Sequence, residues 1–155
     1  MQIIALSGRA NEGKTTTVRK LIDILVSESS KRNYSISQRK CSNICVVEIS
    51  ELQLTIALGA DGDTEYQVQE NCSAAAESKA DIFIQTTRTK GKGVDELFYF
   101  AQGKYDIIQI GTISKYFGLK SQFFSNEAAI KRINEIQTQN VWNLLLRILQ
   151  ENYNF

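Results

Sequence analysis

Eight consecutive residues, Gly8-Arg9-Ala10-Asn11-Glu12-Gly13-Lys14-Thr15, carry the residue types that a bound polyphosphate needs. Gly8 and Gly13 admit backbone dihedrals closed to residues with side chains, so successive amide N–H groups can turn inward around anionic oxygens. A helix starting near Lys14 presents the positive end of its dipole to the same spot. The Lys14 ammonium reaches the outer phosphates, where negative charge grows during transfer, and the Thr15 hydroxyl is a ligand for Mg2+. Asn11, Glu12 and Thr16 belong to the same ligand-contacting stretch, and Thr16 and Thr17 either touch an inner phosphate or serve only the first helical turn. The plainer alternative is a glycine-rich strand-to-helix turn with an exposed lysine.

Chemistry on a phosphate also needs a carboxylate near the cation and positive charge near the transferring group. In Gly59-Ala60-Asp61-Gly62-Asp63, at least one of Asp61 and Asp63 is expected to face the metal, although the same composition also makes an ordinary turn. The segment Thr86-Thr87-Arg88-Thr89-Lys90-Gly91-Lys92-Gly93 gathers three cations in five residues. Arg88 and Lys92 would neutralise transferring charge, bind an acidic substrate, track a nucleic-acid backbone, or simply be solvated.

These residues need a scaffold that delivers all three segments to one edge. Ile3-Ile4-Ala5-Leu6 reads as a strand buried on both faces, and Val18, Leu21, Ile22 and Leu25 give residues 14–28 an amphipathic helix. The apolar runs 44–49 and 52–58 are separated by only Ser50 and Glu51, too little for a parallel crossover, which predicts an antiparallel hairpin. A helix over 64–79, a strand over 81–86, a basic loop over 87–93, a helix up to Gly103 and a strand over 105–110 follow. Asn126 is placed to cap a C-terminal helix carrying Ile130, Ile133 and Ile136, broken near Asn140 and continued by Val141, Leu144, Leu145 and Ile148. The expected fold class is α/β, a three-layer α/β/α arrangement with a mostly parallel sheet of about five strands and an antiparallel hairpin before the acidic loop. One domain covers 1–155, with residues 126–151 as its C-terminal helices.

With 43% apolar and 23% charged residues among 155, the composition is that of an ordinary globular domain. Lysine and arginine number 18 against 17 acidic residues, so no global field draws the chain to nucleic acid or an anionic membrane. No run approaches the length of a membrane span and the amino terminus lacks a secretory pattern, which points to the cytoplasm. Three cysteines, Cys41, Cys45 and Cys72, suit reduced thiols, and the absence of histidine excludes Ser-His-Asp and Cys-His mechanisms.

The run Gly8 to Thr17, with Gly62-Asp63 and Thr87-Arg88-Thr89-Lys90-Gly91-Lys92 behind it, resembles a family of short bacterial P-loop proteins described as ATP-binding. The resemblance spans most of the chain, implies nucleotide binding on a P-loop NTPase fold, and favours Asp63 over Asp61 at the metal. Two functions are in contention. One is Mg2+-dependent phosphoryl transfer or hydrolysis of ATP or GTP, with Lys14, Asp63 and Arg88 catalytic. The other is a nucleotide-dependent switch or assembly subunit with little turnover. The missing asparagine-lysine-x-aspartate signature favours ATP over GTP. A small-molecule acceptor or protein partner and a homo-oligomer are compatible with either function, and a nucleic-acid partner is not expected.

Overall fold

Ile3, Ile4, Ala5 and Leu6 are all buried because helices cover their strand from both sides. In the computed structural model, which describes residues 1–112 and 127–155, that strand is β1 (Gln2–Ser7). Five further strands join it: β2 (Ile36–Cys41), β3 (Ile44–Ile49), β4 (Leu54–Gly59), β5 (Ile82–Thr87) and β6 (Asp106–Gly111). The described helices are α1 (Lys14–Lys31), α2 (Glu65–Glu77), α3 (Lys92–Ala101) and α4 (Glu127–Tyr153).

The strand order is β2-β3-β4-β5-β1-β6. β1 runs parallel to both neighbours, with Ile3 opposite Phe83 and Ile107, and β4 runs parallel to β5. The expected hairpin is β3–β4, its turn a short 3-10 segment, Ser50–Leu52, closed by Gln53 at φ 48°. Only β3 opposes the common strand direction, since β2 is antiparallel to it in turn.

Period-two alternation divides the core. Ile4, Leu6, Ile56, Leu58, Ile82 and Ile84 pack with Val18, Leu21 and Leu25 of α1 and with Val141, Leu145 and Leu149 of α4. Ile3, Ala5, Ala57 and Phe83 face the other way, onto Val68, Cys72 and Ala75 of α2 and Leu97 of α3. Helices therefore lie on both faces of a mixed sheet, and among the described residues no helix is long and apolar enough to cross a membrane.

Two elements differ from the sequence reading. β2 brings the sheet to six strands; its Ser37, Gln38, Arg39 and Lys40 are exposed, so it carries no hydrophobic periodicity. Charges on such an edge discourage pairing with other chains. The C-terminal segment is one helix of 27 residues with no break at Asn140, and its proposed cap, Asn126, lies outside the described residues. The buried stripe of α4 is Asn134, Gln137, Thr138, Val141, Trp142, Leu145, Ile148 and Leu149, whereas Ile136 is 44% exposed. Its apolar half packs on the sheet and its polar half extends beyond the sheet edge toward the glycine-rich loop.

Replacing Leu145, fully buried at the junction of α1, α4 and the sheet, with alanine should cost about 2–5 kcal/mol in urea unfolding. Ile136→Ala, on the exposed side of the same helix, should change stability by less than about 1 kcal/mol.

Candidate functional site

β1, β4 and β5 run in one direction, so their carboxyl ends deliver residues 8–13, 60–64 and 88–91 to the same sheet edge. Crevices at this edge are where open α/β sheets place ligands. A cavity of about 380 Å3 opens there. Asn11, Glu12, Gly13, Lys14, Thr15 and Thr16 line one side of it. Asp61 and Asp63 line another, so most of the residues singled out from the sequence share one space.

The loop turns through left-handed conformations at Asn11 (φ 60°) and Gly13 (φ 75°). Gly13 immediately precedes α1, offers no side-chain cap, and is followed by no acidic residue in the first turn. By contrast, Thr64 and Gln67 form a reciprocal capping box on α2. The N-terminal N–H groups of α1 lack intrahelical partners, as they do in every helix, and Gly13 at the N-cap position has no side chain with which to cap them. Gly8 has a different role from the one expected: its backbone is not left-handed, but a Cβ there would sit 2.3 Å from Thr112 Cγ2 and 2.7 Å from Glu12 Oε2. Glu12 closes the loop by accepting from the Arg9 N–H at 2.6 Å and from the Thr112 hydroxyl.

Lys14 is 6% exposed and donates to the carbonyls of Gly8 (3.0 Å) and Arg9 (2.6 Å), so its ammonium lies beneath the loop. Burial pulls its pKa below the ordinary 10.5; nearby Asp63 and Glu12 pull it up and Arg88 pulls it further down. The cation is thus held by backbone dipoles and carboxylates within a largely desolvated position.

The acidic loop is pinned from behind. Asn71 Nδ2 and Gln85 Nε2 both donate to the Asp61 carbonyl, at 2.7 and 3.1 Å, and Asn71 also donates to Gln85 Oε1. Gly62 is pressed so close that a Cβ would meet the Thr86 carbonyl oxygen at 1.7 Å. The hydroxyls of Thr15 and Thr86 both donate to the Ala60 carbonyl, at 3.0 and 2.8 Å, tying α1, β5 and the acidic loop to one atom. Asp63 pairs with Arg88 at 2.8 Å, which brings Arg88 to the rim, whereas Lys92 is 83% exposed and reaches Glu65 at 3.5 Å. Neither Arg88 nor Lys92 is among the residues that line the cavity.

Sequence reasoning missed Thr86, Gln85, Asn71, Thr112 and two residues of α4, Asn134 and Gln137. Asn71 carried a usable signal, being polar within the apolar stripe Val68, Cys72, Ala75 of α2. The thiols stand apart from this site: burial raises the Cys45 pKa and pushes that of Cys72 up to about 12. No protein-family model matches the chain, and no curated protein or solved structure matches it.

Gly62→Ala should destabilise the protein by about 1–3 kcal/mol, because the clash is with backbone rather than a movable side chain. Lys14 gives a pH signature. Between its lowered folded pKa and the ordinary 10.5, the unfolded chain holds a proton that the folded chain has released, so stability rises with pH. Urea midpoints taken up to about pH 10.5 should rise for the wild type relative to Lys14→Met.

Proposed function

We propose that the protein is a P-loop NTPase-type protein that binds a nucleoside triphosphate, ATP in preference to GTP, through residues 8–16, with Mg2+-dependent phosphoryl transfer or hydrolysis as its activity. The observation that carries this reading is the buried Lys14 ammonium beneath a loop with two left-handed residues, beside an uncapped helix N-terminus and a polar cavity. A largely buried lysine combined with a helix N-terminus that its N-cap residue leaves uncapped favours a compact, multiply charged anion.

The donor set suits a hard cation. Thr15, Asp61 and Asp63 supply oxygens around one cavity. Among the described residues no three His, Cys, Asp or Glu side chains could hold a metal by themselves, so phosphate oxygens would complete the coordination. When bound, Mg2+ would neutralise charge on the phosphates. Lys14 would hold the outer phosphates, and Arg88, kept at the rim by Asp63, would approach the transferring group.

A second reading, a nucleotide-dependent switch or assembly subunit with little turnover, is favoured by two ion pairs, Asp63–Arg88 between the acidic and basic loops and Glu65–Lys92 between the first residues of α2 and α3. Both pairs are exposed and therefore weak, so a cation that recruits Asp63 would release Arg88 at little cost.

ATP with Mg2+ at 100 times its dissociation constant should add about 2.7 kcal/mol and raise the melting midpoint by about 5–10 °C. Lys14→Ala should abolish the shift, and no shift with ATP or GTP would sink the reading. Release of phosphate from labelled ATP without an acceptor favours hydrolysis, whereas turnover that requires a partner favours the switch.

A further inference from the structure

The polar half of the α4 stripe is unusual because it is buried without being part of the core. Asn134 is 9% exposed, and its backbone carbonyl accepts from the Thr138 hydroxyl at 2.7 Å. Its side-chain amide makes no hydrogen bond among the described residues. Among the described residues, the side-chain polar atoms sealed from solvent without a partner are Ser29 Oγ, Asn71 Oδ1 and Ser78 Oγ; the Asn134 amide is not one of them and opens to the cavity instead.

That amide lies at the α1 N-terminus. A Cβ on Gly13 would fall 1.8 Å from Asn134 Oδ1, so the absent side chain of Gly13 is what lets Asn134 seat against the loop. Asn134 and Ile130 line the same cavity as Lys14, Thr15 and Asp63. One helical turn further on, Gln137 Nε2 donates to Thr17 Oγ1 at 2.8 Å, and both residues are buried. This bond locks α4 onto the first turn of α1 and fixes the register that places Asn134 over Gly13.

We infer that Asn134 is a ligand-binding residue of this site, its amide donating to an oxygen of the bound phosphate ester, and that Gln137 is the residue that positions it. The inference rests on the phosphate-binding reading and adds a second wall to it, built from the far end of the chain. An unpartnered amide, an uncapped helix N-terminus and a buried ammonium converge on one cavity. An amide offers both N–H donors and a carbonyl acceptor, which suits it to phosphate oxygens or to a ribose hydroxyl.

The test is calorimetric titration of the full chain with ATP and, separately, with tripolyphosphate, both with Mg2+. Asn134→Ala should weaken ATP binding about tenfold, the scale of one hydrogen bond to a charged group. Asn134→Asp, nearly isosteric, should weaken it further, because a carboxylate replaces the donor and repels the anion. The melting midpoints of both ligand-free variants establish that they fold, and alanine is favourable within a helix. A parallel loss for tripolyphosphate places the contact on phosphate, and a loss confined to ATP places it on the sugar. If wild type binds and Lys14→Ala does not, while both Asn134 variants bind as wild type does, the role of Asn134 is refuted and the phosphate reading stands. If wild type binds neither compound, both fall together.

Discussion

A lysine residue at 6% exposure is an expensive thing to place inside a protein, and the organisation around it follows from satisfying its cation. Two carbonyls of the loop point at it, which requires the chain to fold back over its own side chain between Gly8 and Gly13. Left-handed Asn11 and Gly13 make that reversal, and the closeness of Thr112 and Glu12 to Gly8 leaves no room for a side chain there. Carboxylates at Glu12 and Asp63 raise the lysine's proton affinity against burial without neutralising the helix terminus. The result is a positive point beside a cavity, an arrangement that on our proposal is preorganised for an anion.

The sheet makes this arrangement affordable in conformational terms. β1 is central and flanked by parallel strands, so the loop that leaves it is anchored by the Gly8 N–H to the Thr87 carbonyl and by the Thr112 N–H to the Ser7 carbonyl. The acidic loop is fixed through Asn71 and Gln85, and the Ala60 carbonyl gathers hydroxyls from Thr15 and Thr86. Several of the polar groups at the site therefore hold backbone in place, Thr15 and Thr86 doing so from the cavity wall itself. Asn134 is the contrast, a side-chain amide that opens to the cavity and meets no hydrogen-bond partner among the described residues.

Much of this was legible in the sequence because local chemistry dictates it. Apolar runs specified β1, β3, β4, β5 and β6, and the short gap at Ser50 and Glu51 specified the hairpin. The glycine and lysine spacing drew attention to the residues that line one side of the cavity, and Asp61 and Asp63 line another. β2 was invisible because an exposed edge strand needs no apolar alternation. α4 was read correctly in its second half, where Val141, Leu145 and Ile148 are buried, but not in its first: Ile136 is exposed, whereas Asn134, Gln137 and Thr138 are buried. Helical periodicity in apolar residues cannot reveal a face whose partner is a polar loop and a cavity. The pairing of Arg88 with Asp63, and the turning of Lys92 toward Glu65, likewise depend on tertiary geometry across two loops.

The central claim is that residues 8–16 form an anion site around Lys14, and the most direct measurement is a titration of isotope-labelled protein with Mg2+ and ATP, followed through its amide resonances. The largest shifts should fall on the backbone amides of Asn11 to Thr16 and on the side-chain amide of Asn134, and they should vanish in Lys14→Ala. Absence of any shift at saturating ATP, or shifts confined to residues remote from this loop, would contradict it.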